Sequence, residues 1–226
     1  MLSITATDAW RNAHPKALIG LLEISGVDNA ISSAELDRQK RATEARLRER
    51  YKGYTRQDFL SLPVMSAYAQ YYKKFSKTYH VLLQLESIVL KGKSLPSVSP
   101  LVDANFTAEV ETLVLTAGHD VSKLNGSIVF DVSRDGDRIT QMNNAVKDMY
   151  AGDMVMKDTE GMCCSIIYGQ DNRSPISPKT SHALYVVYAP AGVTAEAVNA
   201  QLRQIEENIR LFAPSMTLEQ RGLITS

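Results

Sequence analysis

The sequence predicts an α+β fold, with helices in the first half of the chain and short strands in the second. Apolar residues recur at helical spacing through residues 32–92. Four short runs rich in β-forming residues follow, separated by turn clusters that contain Gly, Asp and Asn. The two kinds of element are segregated rather than alternating, which favours α+β over a regular βαβ series.

Length and composition indicate a globular domain. The chain has 226 residues, 44% hydrophobic and 22% charged, with a formal net charge of +0. These values exclude a disordered chain and a uniformly basic or acidic one. We expect one domain over residues 1–226. The apolar runs fall short of the ~20 residues of a membrane span, and residues 1–10 carry no secretory signal. We therefore expect a cytoplasmic protein without membrane association.

The first elements are an early strand and a charged helix. The apolar run at residues 17–24 indicates the strand. Ser32 followed by Glu35 fits a capping box, in which each side chain bonds the other residue's backbone N–H. The charged run at residues 35–52 then predicts a solvated helix that Gly53 ends.

Two further helices are predicted before residue 93. Pro63 suits an early position of a helix through about residue 75, which has tyrosines on one face and lysines on the other. Apolar residues at helical spacing predict the next helix at residues 79–91. Gly92 is its natural C-cap.

The second half combines strands with a last helix. An apolar stripe at residues 194–212 predicts a helix that closes the chain. The predicted strands precede it, at residues 127–132, 154–156, 162–168 and 183–188.

Charge is distributed unevenly along the chain. Residues 1–100 hold 15 Lys and Arg against 9 Asp and Glu, and the remainder holds 10 against 16. Residues 38–93 also interleave aromatic rings with cations. Cations that neutralise phosphates and rings that stack on bases are what a nucleic-acid surface needs. The alternative is that the rings form the core face of the helix at residues 63–75.

The common catalytic and cofactor motifs are missing. The sequence has no GxSxG elbow, phosphate loop, dinucleotide fingerprint or HExxH. The four histidines are far apart and do not give zinc-ligand spacing, so no metal or organic cofactor is expected. The adjacent Cys163 and Cys164 lie in an apolar strand, which is more typical of core residues than of a nucleophile.

One polar group stands out among apolar neighbours, and it comprises Asp103, Asn105, His119 and Asp120. A His beside an Asp can act as an oriented base. The alternative is that His119 and Asp120 belong to a turn or a helix end. The sequence leaves both interpretations open.

A longer series of residues resembles a known family in its order and spacing. The series, with its most specific block at residues 91–105, is Pro63-x4-Tyr68-x3-Tyr72-Lys73-Lys74-Phe75, Glu86-x4-Lys91-Gly92-Lys93-x-Leu95-Pro96, Leu101-Val102-Asp103-Ala104-Asn105, Asp120-x3-Leu124-x-Gly126, Gly152-Asp153, Asp158 and Thr180. It resembles free-standing relatives of the B3/B4 module of the bacterial phenylalanyl-tRNA synthetase beta subunit. The resemblance covers about residues 17–212.

The resemblance implies an α+β domain with a function related to tRNA. In the synthetase, the module houses an editing site that hydrolyses tyrosine wrongly esterified to the tRNA for phenylalanine. We therefore expect recognition of tRNA, of an aminoacyl-tRNA or of the aminoacyl group, with or without hydrolysis of the ester. The alternatives are a small-molecule binder and a synthetase partner without chemistry of its own.

The resemblance also assigns candidate site residues. Asp103, Asn105 and Asp120 match polar positions of the family, although a single residue here separates Asp103 from Asn105. The family's pocket histidine falls at Ala117, which leaves His119 as the candidate catalytic residue. The family's pocket glutamate falls near Val186, where no carboxylate is present. The lysines expected to meet phosphates are Lys73, Lys74, Lys77, Lys91 and Lys93.

Overall fold

The computed structural model describes residues 2–226 and confirms the α+β class. The helices are α1 (Asp8–Ala13), α2 (Ala34–Arg50), α3 (Arg56–Ser61), α4 (Pro63–Lys73), α5 (His80–Val89), α6 (Pro100–Thr112) and α7 (Ala195–Arg210). The strands are β1 (Ile4–Ala6), β2 (Leu18–Ser25), β3 (Thr116–Asp120), β4 (Ile128–Val132), β5 (Arg138–Thr140), β6 (Val146–Asp148), β7 (Met154–Asp158), β8 (Gly161–Ser165), β9 (Gly169–Gln170), β10 (His182–Ala189) and β11 (Thr217–Thr225).

A four-stranded antiparallel sheet in the order β11-β2-β10-β3 forms one half of the core. Helix α7 packs on β2 so closely that a Cβ at Gly20 would lie 2.5 Å from Val198 Cγ1. Asn208 of α7 donates to the carbonyl of Ala104 on α6 at 2.9 Å. Helices α6 and α7 therefore cover one face of this sheet, and β3 forms one of its edges.

A five-stranded sheet in the order β1-β4-β7-β8-β9 forms the other half. Helix α4 links the two sheets through buried tyrosine hydroxyls. Tyr68 Oη donates to the carbonyl of Tyr188 on β10 at 2.8 Å, and Tyr71 Oη donates to Asp153 Oδ1 beside β7 at 2.6 Å. Strands β5 and β6 form a separate hairpin.

Most elements predicted from periodicity are confirmed within a few residues. These are β2, α2, α4, α5, α7 and the strands β4, β7, β8 and β10. The predicted cap of α2 is wrong: Ser33, not Ser32, is the N-cap, and its side chain accepts from the N–H of Leu36. The helix also ends at Arg50, before Gly53, which lies in the following turn.

Nine helices and strands escaped prediction, and they are α1, α3, α6, β1, β3, β5, β6, β9 and β11. Helix α6 is buried on nearly all sides, so it shows no amphipathic period that a sequence could reveal. Strand β3 is short and contains Gly118 and His119, which are not strong β-formers. The prediction that a helix closes the chain is wrong, because β11 follows α7 and pairs with β2 along its length.

Among residues 2–226, no helix combines the length and the apolar character needed to cross a membrane. Strand β1 near the start of the chain pairs with β4, and β11 near its end pairs with β2.

Candidate functional site

The candidate site is a cavity of about 280 Å³ beside the edge strand β3. It lies between α6, β3 and the segment at residues 164–176. Its polar lining residues are His80, Asn105, Thr116, Ser165 and Gln170. Its apolar and aromatic lining residues are Val102, Phe106, Leu115, Ala117, Met142, Cys164, Ile166, Pro175, Ile176, Tyr185 and Tyr188. Within the described chain, Asp, Glu, Lys and Arg are absent from this lining.

Of the four polar residues singled out in the sequence, Asn105 lines this cavity. It lies on α6, is 5% exposed, and its Nδ2 donates to the carbonyl of Thr116 at 3.2 Å. Its Oδ1 is buried without a hydrogen-bond partner among the described residues. A buried acceptor without a donor costs free energy, so a ligand that supplies a donor would recover it.

Backbone N–H groups of β3 also point to its outer edge, beside the cavity. The N–H groups of Thr116 and Asp120 point away from β10, to Glu109 Oε1 and to the carbonyl of Ser174. Because backbone groups alternate along a strand, the N–H of Gly118 points to the same outer edge. A Cβ at Gly118 would lie 2.7 Å from Ile176 Cδ1, so a larger residue here would require the Ile176 side chain to shift.

Tyr188 supplies a third polar group. Its ring is 1% exposed and lies edge-on to Phe130, at 6.0 Å between ring centroids. Apart from the neighbouring thiol of Cys164, its hydroxyl has no hydrogen-bond partner in the described part of the chain. Burial raises the pKa of the Cys164 thiol to about 12, so this wall of the cavity is uncharged.

His119 lies on β3 but does not face the cavity as a base would. The alternation of the strand turns its side chain to the face opposite Gly118, and it is 0% exposed. Its Nδ1 lies 2.8 Å from Ser174 Oγ, which itself donates to Asp171 Oδ1 at 2.6 Å. Ser174 Oγ can therefore accept from Nδ1, which also lies 3.0 Å from Gln170 Nε2, and Nε2 is buried without a partner among the described residues.

Burial also determines the charge of His119. It lowers the pKa of this histidine to about 3, against a smaller opposing influence of Asp158. The imidazole is neutral throughout the physiological range. The buried, neutral imidazole of His119 therefore connects β3 to the 171–174 loop.

Asp103 faces the opposite side of α6 from Asn105. Its Oδ2 lies 2.6 Å from Nζ of Lys40, whose side chain is 1% exposed, and its Oδ1 accepts from the N–H of Val98 at 2.9 Å. Lys40 also donates to the carbonyl of Pro96 and to Ser97 Oγ, each at 2.9 Å. This buried ion pair fixes the 96–99 loop to α2 and α6.

Asp120 occupies a further environment. Its Oδ1 accepts from the N–H and the hydroxyl of Ser122, and so caps the single 3₁₀ turn at residues 121–123. Its Oδ2 accepts from Thr180 Oγ1 at 2.7 Å. Asp103, Asn105, His119 and Asp120 thus have separate partners, and Asn105 is the member of the set that lines the cavity.

The resemblance places the family's pocket histidine at Ala117 and its pocket glutamate near Val186, and these two residues are direct neighbours in the sheet. Ala117 of β3 pairs with Val186 of β10 in the register of the sheet. Ala117 lines the cavity and Val186 is fully buried. Both side chains are apolar, so this part of the sheet contributes neither an acid nor a base.

The predicted phosphate contacts fall into two groups at the two ends of α5. Lys73, Lys74 and Lys77 precede its first residue, His80, which lines the cavity. Lys91 and Lys93 follow its last residue, one helix length of ~15 Å away. All five side chains are exposed.

Comparison with known proteins identifies the family. A family model described as the B3/4 domain matches residues 64–210. The chain belongs to the B3/4 domain family. A comparison with curated proteins finds no match.

Solved structures similar to this B3/4 domain include a fragment of a synthetase. It is an N-terminal fragment of the phenylalanyl-tRNA synthetase beta-subunit from Pyrococcus horikoshii, with 8% sequence identity and a TM-score of 0.47. The alignment covers 98% of this chain and 50% of that fragment, so the chain spans half the fragment's length.

The B3/4 domain site also includes residues that sequence reasoning missed. Gly118, Gln170 and Tyr188 each present a polar group at or near the cavity, and none belongs to a motif. Gln170 Nε2 donates to the carbonyl of Gly118 at 2.8 Å, which fixes the edge of β3. Among residues 2–226, no group of three His, Cys, Asp or Glu side chains is arranged to hold a metal ion.

Proposed function

We propose that this B3/4 domain recognises the aminoacyl end of an aminoacyl-tRNA whose amino acid is uncharged and largely apolar. The observation that carries the proposal is the composition of the cavity: an apolar lining without charged side chains and a free acceptor on Asn105. Such a cavity resembles a typical small-ligand site, with a few polar groups that fix orientation.

The polar groups match the chemistry of an aminoacyl ester. Asn105 Oδ1 can accept from the α-ammonium, and the N–H of Gly118 can donate to the ester carbonyl. A Lys or Glu side chain in the cavity would lose its hydration without gaining a counter-ion. The cavity would therefore select against charged amino acids.

The lysines next to His80 support the same ligand. Lys73, Lys74 and Lys77 lie within seven residues of His80 along the chain and are exposed, and we propose that they meet the phosphates of a nucleotide attached to the aminoacyl group. Lys91 and Lys93 are a helix length away. We propose that the first group contributes more to tRNA binding than the second.

Recognition is favoured over hydrolysis that depends on His119. A general base must reach the attacking water and must accept a proton near neutral pH. His119 is fully buried, and burial holds its pKa at about 3. We propose that it acts as a structural residue of β3.

The first test is binding of amide-linked 3′-aminoacyl adenosines by calorimetry. The leucyl compound should bind, and the lysyl compound should bind about a hundredfold more weakly. Asn105→Ala should weaken leucyl binding. Asn208→Ala, which removes another buried amide that bonds a carbonyl of α6, is the matched control and should not. Equal affinity for the leucyl and lysyl compounds would overturn the proposal.

The second test separates recognition from hydrolysis. Leucyl-, phenylalanyl- and tyrosyl-tRNA are incubated with the wild-type protein and with His119→Ala, and loss of the ester is followed. We expect the two proteins to give the same rates. Ester loss that disappears in the His119 variant would establish His119 as a catalytic residue and contradict the present assignment.

The third test uses salt and the two lysine groups. Log affinity for tRNA should fall with log salt by about 0.7 per single-stranded phosphate neutralised. Replacing Lys73, Lys74 and Lys77 by Ala should flatten this slope more than replacing Lys91 and Lys93. An affinity that is independent of salt would remove phosphate contacts from the proposal.

A further inference from the structure

The mouth of the cavity is covered by an exposed methionine. Met142 lies in the turn between β5 and β6, lines the cavity and is 62% exposed. The Met142 side chain therefore contacts both the cavity and the solvent.

The hairpin that carries Met142 is anchored beside the cavity. Gln141 Nε2 donates to the carbonyl of Tyr168 at 2.6 Å, and the N–H of Asn172 donates to the carbonyl of Thr140 at 3.0 Å. Asn172 Nδ2 also donates to Asn144 Oδ1 at 2.9 Å. These bonds on both sides of Met142 fix its backbone at the mouth and leave its side chain free to fold over a ligand.

The other described methionines are much less accessible. Met162 is half-buried, and the remaining ones, each at most 4% exposed, are Met65, Met149, Met154, Met156 and Met216. Oxidants in water reach exposed thioethers first. The thiol of Cys164 also lines the cavity, but it is 3% exposed and burial keeps it protonated.

We propose that Met142 is a site of oxidation by peroxide, and that its conversion to the sulfoxide weakens ligand binding in the cavity. The inference rests on the proposed function for its second half, since it takes the ligand to be apolar. In the step, the sulfur lone pair attacks one peroxide oxygen, the O–O bond breaks and an S–O bond forms. The sulfur loses two electrons to the peroxide, and the proton of the attacked oxygen passes to the other oxygen, which leaves as water.

The consequence follows from the polarity of the product. The thioether is apolar and flexible, and it suits contact with an apolar ligand. The sulfoxide carries a strong acceptor that prefers water, and folding it over a ligand removes that water. An affinity loss of about tenfold corresponds to the cost of one partly desolvated polar group.

The experiment treats the protein with hydrogen peroxide and maps methionine oxidation by peptide mass spectrometry. Affinity for the amide-linked leucyl adenosine is then measured by calorimetry. Three proteins are compared: wild type, Met142→Leu and Met162→Leu. The Met162 variant is the control, because Met162 lies outside the cavity lining and is the next most accessible methionine.

The expected result is early oxidation of Met142, with about a tenfold affinity loss in wild type and in Met162→Leu. Treated Met142→Leu should keep the affinity of its own untreated sample. Early oxidation without a change in affinity, or an equal loss in Met142→Leu, overturns the inference and leaves the proposed function intact. Untreated wild-type protein that does not bind the probe overturns both.

Discussion

Two side chains on α6 make an instructive comparison. Asp103 and Asn105 are two residues apart and each is 5% exposed. At ~100° per residue they point to nearly opposite sides of the helix. Asp103 meets the fully paired Lys40, whereas Asn105 leaves Oδ1 without a partner. The two side chains are equally buried but differ in their hydrogen bonding. The side of α6 with Asp103 has its polar atoms paired, and the side with Asn105, which faces the cavity, does not.

The largest effect is expected on the structural side. Asp103→Ala removes the buried counter-ion of Lys40 and leaves only the exposed carboxylate of Asp37, 3.8 Å away, which should lower the free energy of unfolding by about 3–5 kcal/mol. Urea denaturation measures this loss. The double variant Lys40→Met with Asp103→Leu should recover most of it, because both charges are removed together. A loss below about 1 kcal/mol in Asp103→Ala would break the comparison.

The buried carboxylate of Asp153, which has no cation beside it in the described chain, extends the comparison of paired and unpaired buried groups. Asp153 is fully buried and accepts from Tyr71, Ser165 and the N–H of Ile167, but it has no ion-pair partner among residues 2–226. The other titratable groups close to it are Tyr72, Cys164, Tyr168 and Tyr188. Burial outweighs the hydrogen bonds and raises the pKa of Asp153 to about 6.

The raised pKa fixes the sign of its pH dependence. The stabilisation from protonating Asp153 is complete below the unfolded pKa of ~3.9 and is lost as pH rises through about 6. The change amounts to about 3 kcal/mol. The stability of Asp153→Asn relative to wild type should therefore rise between pH 4 and pH 7, as measured by urea denaturation.

Asp131 provides the opposite sign as a control. Burial alone would raise the pKa of Asp131. Hydrogen bonds from Arg134 and Thr7 outweigh burial and hold this pKa well below its usual range. Its contribution to stability is therefore lost as pH falls, and Asp131→Asn should lose least relative to wild type at acidic pH. The same slope in both variants would show that the contrast between paired and unpaired carboxylates does not hold.

On the cavity side, the main effect should be on binding rather than stability. Asn105→Ala removes one hydrogen bond to Thr116, and we expect a loss of about 1 kcal/mol in unfolding free energy. Binding of the leucyl adenosine amide should weaken about tenfold or more, because the acceptor Oδ1 is lost. A variant that loses stability but keeps its affinity would place Asn105 with Asp103 as a structural residue.

The smallest effect on stability is expected at Tyr188. Its hydroxyl makes no bond to nitrogen or oxygen in the described chain, so Tyr188→Phe should change the unfolding free energy by less than about 1 kcal/mol. Thermal unfolding measures this change. A loss of about 2 kcal/mol or more would mean that the hydroxyl is satisfied inside the protein.

Much of the fold is predictable from local patterns. Helices α4, α5 and α7 each have one buried and one exposed face, so their apolar residues repeat at helical spacing. Strands β2 and β10 are continuous apolar runs because the sheet is covered on both faces. Helix α6 is equally stable but buried all round, so its pattern carries no period.

The candidate site was predictable only in part. The spacing of Asp103, Asn105 and Asp120 marks a polar block and, by resemblance, a family. The spacing does not reveal that Asp103 pairs with Lys40, 63 residues earlier. It also does not reveal that Asp120 accepts a hydrogen bond from Thr180, 60 residues later. Nor does it reveal that His119 and Gly118 lie on opposite faces of an edge strand, because β3 itself has no clear sequence signal.

The sequence by itself determined the α+β class, the amphipathic helices and membership of the B3/4 family, because these depend on local periodicity and on the order of residues along the chain. Only the tertiary structure decided which polar residues face the cavity and which stabilise the fold. That distinction depends on whether each buried donor and acceptor finds a partner, and those partners lie tens of residues away, brought together by packing alone.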